Sequence, residues 1–215
     1  MPNWVKHHVT IKGSKEDIAR CYEQITKGEN GFSFKNIIPM PESLNVTSGS
    51  ISYIAEKWAK ANEQERKEIE EKKTDEEMAQ IHQIADNIAK YGYPTWYEWC
   101  IDKWGTKWDA CDADCDCYEQ IITITFDTAW STPVPIFIEL SKQYPSFVIC
   151  VEYADEDLGC NCGTYAIWEG EIQEEESKDL EFACEMWCID PEELDFYNED
   201  NDDGSDDEES ESKSD

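Results

Sequence analysis

The chain has 215 residues, room for one domain with appendages or two small ones. Fifty acidic residues oppose eighteen basic ones, a net charge of −32, which excludes a direct grip on nucleic acid or an anionic membrane and favours basic partners. No window of about 20 apolar residues reads as a membrane span, and the N-terminus lacks the apolar stretch of a secretory signal, so the expected compartment is the cytoplasm, where the ten cysteines are reduced thiols or metal ligands.

In chain order, Trp4 to Ile11 alternates, with Val5, His7, Val9 and Ile11 on one face, and predicts a half-buried strand. Ser14 suits the cap of a helix from Lys15 to about Thr26, with Glu16 and Asp17 in the first turn and Ile18, Cys21, Tyr22 and Ile25 on an inner stripe. Phe32 to Pro41 is extended and apolar. Residues 51–91 read as an inserted, highly charged helical hairpin, laced with i,i+4 pairs such as those in Glu65-Arg66-Lys67-Glu68 and turning at Thr74 to Glu77.

Four tryptophans follow within thirteen residues: Trp96, Trp99, Trp104 and Trp108. Each large ring buries roughly 150–250 Å² when packed, so this segment seeds a core or floors a binding surface. A short helix carries Trp96 and Trp99, Gly105 ends it, and Thr106 to Ala110 is an expected strand followed by a Cys-rich turn. Gln120 to Phe126 is a strand. Pro133 or Pro135 opens a helix with Ile136, Phe137, Leu140 and Tyr144 inward. Phe147 to Tyr153 and Gly163 to Trp168 are further strands. The expected units are a domain of residues 1–50 and 92–172, the hairpin 51–91, a docking segment 173–195, and an acidic tail 196–215 whose composition predicts disorder.

The element order predicts an α+β, ferredoxin-like βαββαβ antiparallel sheet with helices on one face, carrying the inserted hairpin and the disordered acidic tail. Met1-Pro-Asn-Trp4-Val, Ile37-Ile-Pro-Met-Pro41, the run from Tyr97 to Trp108, Phe126-Asp-Thr-Ala-Trp130-Ser-Thr-Pro133 and Leu140-Ser-Lys-Gln-Tyr144-Pro145 resemble the YubB ferredoxin-like family, also called Api-like proteins, over roughly Met1 to Gly170. The resemblance implies an origin on bacterial plasmids or phages and no defined reaction. It makes Trp4, Trp99, Trp104, Gly105, Trp108 and Trp130 fold determinants.

Chemistry-bearing clusters are few. Cys111, Cys115 and Cys117 in one turn and Cys160 and Cys162 in another would meet at one end of the sheet, where four thiolates could hold zinc. The spacing is not that of a zinc knuckle, and the aspartates around the first group raise thiol pKa values. The Asp pattern lacks the Gly and the bidentate Glu of a calcium loop. No nucleophile–base pair and no phosphate-binding loop is visible, so the chain reads as a non-enzyme without a cofactor. The acids Asp109, Asp112, Asp114, Asp116, Asp155, Glu156 and Asp157 are the expected interaction residues. Regularly spaced carboxylates can imitate a phosphate backbone. The leading expectation is therefore an acidic interaction protein of a phage or plasmid that inhibits a basic host protein, such as a nucleic-acid-binding or defence complex. The alternative is a small zinc-binding or structural accessory domain using the Cys-rich edge.

Overall fold

The computed structural model describes residues 2–28, 31–191 and 194. The first strand, β1 (Trp4–Lys12), alternates buried and half-buried residues along its length. Helix α1 (Lys15–Ile25) starts where the Asp17 amide donates to Ser14 Oγ at 3.1 Å and buries Ile18, Cys21 and Ile25. It stops where Thr26 turns its hydroxyl back onto the Tyr22 carbonyl, 2.6 Å away.

The insertion folds as three helices: α2 (Ser50–Lys60), α3 (Glu63–Glu70) and α4 (Asp75–Tyr91). Ala55, Ile81 and Ile84 form its own small core, with Ile51, Ile54, Met78 and Ile88 around them. A reciprocal Thr74–Glu77 cap starts α4, and Gly92, at φ 82°, ends it. The buried Asn87 amide donates to the Ser43 carbonyl at 2.8 Å and ties the insertion to the body. Helix α3 buries no residue, in keeping with its sequence of charges.

Next come α5 (Trp96–Trp104), β2 (Cys111–Tyr118), β3 (Ile121–Ala129), α6 (Val134–Gln143), β4 (Val148–Asp155), β5 (Cys162–Trp168), β6 (Glu171–Ser177) and α7 (Leu180–Trp187). The six strands form one antiparallel sheet in the order β2-β3-β1-β4-β5-β6. The first four strands and helices α1 and α6 are the ferredoxin-like βαββαβ unit. Strands β5 and β6 widen it as a meander.

The core lies between the sheet and the layer of α1, α5 and α6. Phe126 sits at its centre, with the rings of Phe32, Phe34, Phe137 and His7 within 4.6 to 6.2 Å. Trp99 and Trp104 are buried there, edge to face at 5.5 Å, and the Trp104 indole N–H donates to the Ile38 carbonyl at 2.9 Å.

Three details depart from the sequence reading. The expected strand 106–110 is a bend, and the Cys-rich segment expected as a turn is strand β2. The Asp109 carboxylate causes the bend, since it accepts from the Phe34 amide at 2.7 Å, from Ser33 Oγ at 2.7 Å and from the Ala110 amide at 2.9 Å. Beyond it, Ala113 and Cys115 turn inward onto the core while Asp114 and Asp116 stay exposed, because a buried thiol packs as a small apolar group. Strand β6 falls where 173–195 was expected to be a docking segment. Every one of its residues is exposed, so backbone pairing with β5 holds it. The Glu169–Gly170 turn, with φ of 56° and 77°, matches the two left-handed residues of a tight hairpin. Finally, the helices are not all on one face. Helix α7 docks on the opposite side through Ala183 and Met186 against Ala154 and Cys162, and Trp187 donates to the Ala154 carbonyl at 3.0 Å. The tail 196–215 lies outside the described residues. Among those described, no helix is long and apolar enough to cross a membrane.

Candidate interaction face

The strand register defines the sheet face opposite the main core row by row. At the α7 end one row reads Cys111, Asp127, Lys6, Ala154, Cys162. The next is Asp114, Thr125, His8, Glu152, Thr164, Glu176, and the one after it Asp116, Thr123, Thr10, Cys150, Ala166, Glu174. Helix α7 covers the first row, where Lys6 pairs with Asp127 at 3.4 Å beneath the Trp187 ring. Burial raises the Asp127 carboxyl above its ordinary pKa and the Lys6 charge partly offsets this.

The two middle rows are open to solvent. They carry five carboxylates and no Lys or Arg. Asp114 and Asp116 form a rail on β2 at one edge, and Glu174 and Glu176 form a second on β6 at the other. Five strand spacings of about 4.8 Å set the rails roughly 24 Å apart. Between them lie Thr, His8, Cys150 and Glu152, and a depression of about 470 Å³ runs over β4 to β6. At the far end, Tyr118, Ile121 and Val148 form an exposed apolar strip around Lys12.

The expected interaction acids divide. Asp114 and Asp116 lie on this face, and Asp112, at φ 47°, lies in the bulge of β2. Asp109 is fixed by the bonds that shape the bend and by Lys35 at 3.7 Å. Asp155 is buried, 6% exposed, and accepts from the Asp157 amide at 2.9 Å and the Asn161 amide at 3.0 Å. These two carboxylates are engaged in shaping the fold. Glu156 and Asp157 are exposed at the neighbouring turn. Glu152, Glu174 and Glu176 belong to the face without having been singled out. Only the register of β4, β5 and β6 brings them level with Asp114 and Asp116.

The five cysteines do not converge. Cys111 and Cys162 share a row but lie four strands apart, roughly 19 Å, and zinc–sulfur bonds are about 2.3 Å. Cys115 faces the opposite side of β2. Its thiol is pushed up to about 12, by burial first and by Asp116, Cys117 and Asp114 after it. Among the described residues no group of three or more His, Cys, Asp or Glu is placed to hold a metal ion. Of the two histidines on β1, His7 enters the core and His8 the open face.

Trp99 and Trp104 are core residues. Trp4 and Trp108 are half-buried against each other at 5.8 Å, while Trp130 is 43% exposed at φ 72°. Gly105, at φ 79°, is required where it stands, because an added Cβ would come within 2.7 Å of the Pro135 ring.

Comparison with known proteins agrees with this architecture. Residues 103–209 match the family model described as "Ferredoxin-like domain in Api92-like protein". The crystal structure of a protein api92 from Yersinia pseudotuberculosis is similar with a TM-score of 0.50 at 12% identity, covering 83% of this chain and 98% of that one, a likeness of fold. No curated protein matches the chain. The expected likeness thus holds at the level of the fold: residues 103–209 match a ferredoxin-like family model, and β1, which precedes them, pairs with β3 and β4 in the same sheet.

Proposed function

We propose that this protein acts by contact and not by turnover, presenting the open acidic sheet face to a basic host protein that normally holds nucleic acid. The observation that carries this reading is the uncovered face with carboxylate rails at both edges. A ferredoxin-like sheet is also the platform on which RNA-recognition domains stack bases, but those use aromatic rings and positive charge. Here the middle rows have His8 as their one ring, no Phe, Tyr or Trp, and no Lys or Arg against five carboxylates, so a nucleic acid is repelled and a basic groove is attracted.

The magnitude of the imitation is bounded. Residues i and i+2 on a strand stand about 6.8 Å apart, against one charge per about 3.4 Å along each DNA strand. Each rail therefore carries about half the charge density of a DNA strand. That suffices for competition at moderate salt and not for binding that salt cannot weaken. In this reading the chain is a mobile-element product working in the bacterial cytoplasm against a nucleic-acid-binding or defence complex. The acids of its C-terminal stretch add long-range attraction.

The test is competition. Added to a basic host DNA-binding complex at rising salt, the protein should displace DNA, with potency falling as salt rises. Displacement that salt leaves unchanged contradicts charge imitation, and so does failure to displace DNA from any basic partner recovered from host cytoplasm.

A further inference from the structure

A second feature lies on the other side of the molecule, among the tryptophans that the acidic face does not use. A small pocket of about 150 Å³ opens where α5, the Lys35 turn and the 107–109 bend meet. Its walls include Trp96, Trp104 and Trp108, and Lys35, Lys107 and Asp109 stand around it. We propose that this pocket binds a small molecule consisting of a single aromatic ring bearing a carboxylate.

Size selects the ring. The space of about 150 Å³ between these walls matches one benzene ring, and its open mouth leaves a polar substituent in solvent. The walls favour an aromatic guest, because indole faces and edges pair with a ring at offset or edge-on geometry. They are also held in place. Trp104 is buried, its N–H is bonded to the Ile38 carbonyl, and Trp108 packs on Trp4.

Charge selects the anion. In a chain of net charge −32, two lysines stand at this pocket. The one carboxylate there, Asp109, is already occupied by the Ser33 hydroxyl, by the Phe34 and Ala110 amides and by Lys35. Lys107 has no carboxylate partner among the ion pairs of the described residues. Its Nζ lies over the Trp108 ring at 4.4 Å and the Trp130 ring at 4.8 Å. A carboxylate at the mouth gives it the counter-charge that these rings supply only in part. A cationic guest would meet Lys107 directly and be repelled.

The experiment uses the full chain and benzoate as probe, followed by the indole N–H resonances of Trp96 and Trp108. Millimolar benzoate should move both saturably, benzyl alcohol should bind at least about tenfold more weakly, and acetate should not move them. Lys107→Gln keeps most of the stem and should weaken benzoate about tenfold with the spectrum otherwise folded. Glu174→Gln with Glu176→Gln, on the opposite face, should leave benzoate binding unchanged, which separates this pocket from the proposed contact function. The proposal is overturned if benzoate gives no saturable shift, if benzyl alcohol binds equally well, or if Lys107→Gln binds benzoate as the wild type does.

Discussion

His7 shows most sharply what a single residue does here. It is fully buried and stacked on Phe126 at 4.6 Å, and neither ring nitrogen makes a well-formed hydrogen bond, though the nearby backbone of Phe126 and Val5 slightly favours its proton. Burial is the main reason its pKa falls from 6.5 to about 3. The folded chain therefore keeps His7 neutral while the unfolded chain takes up a proton below about pH 6.5. Stability at this site is complete above that pH and is lost as pH falls towards 3, by up to ~1.4 kcal/mol per pH unit. Between about pH 6.5 and pH 5 that amounts to ~2 kcal/mol. Urea unfolding of wild type and His7→Leu at the two pH values should show the variant losing less by about that amount; equal losses would mean that His7 is solvated. Gly105→Ala should cost ~1–3 kcal/mol in the same assay, because both its backbone and the Pro135 ring resist a side chain. Trp99 and Trp104 were legible as core from aromatic density alone. Asp109 and Asp155 were not legible as structural, since an acid that shapes a bend and an acid that faces solvent look alike until their donors are known.

Among the elements, β1, α1, β3 and α6 announce themselves by period, and all four stand where the alternation or the helical stripe puts them. Strand β2 did not, because Cys-Asp-Ala-Asp-Cys-Asp-Cys reads as turn chemistry unless thiols are treated as inward apolar groups. Strand β6 carries no inward residue to give a period, so only its neighbour β5 defines it. Helix α7 is a strap over the first row of the sheet, fastened by the Trp187 indole. Trp187→Ala should cost ~1–3 kcal/mol and speed labelling of Cys162 and Cys184 by a thiol reagent, while Cys115, under the other face, stays slow. Unchanged labelling of Cys162 would mean that α7 is held by contacts other than this indole.

For the molecule as a whole, charge is spread through the sequence, but the fold concentrates part of it. The middle rows of one sheet face hold five carboxylates and no Lys or Arg, with Lys178 reaching Glu176 at 2.6 Å from beyond those rows, whereas α3 mixes both signs within two turns. Face placement, and not total charge, is the property on which binding should depend. The most direct measurement compares two charge-matched variants for binding to a basic partner by calorimetry at low and high salt. One carries Asp114→Asn, Asp116→Asn, Glu174→Gln and Glu176→Gln, and the other carries Glu63→Gln, Glu65→Gln, Glu68→Gln and Glu70→Gln on α3. The face variant should lose at least about a hundredfold in affinity and flatten the salt slope, with the α3 variant near wild type. Equal loss in both would show that net charge alone attracts the partner and that the sheet face has no special part in it.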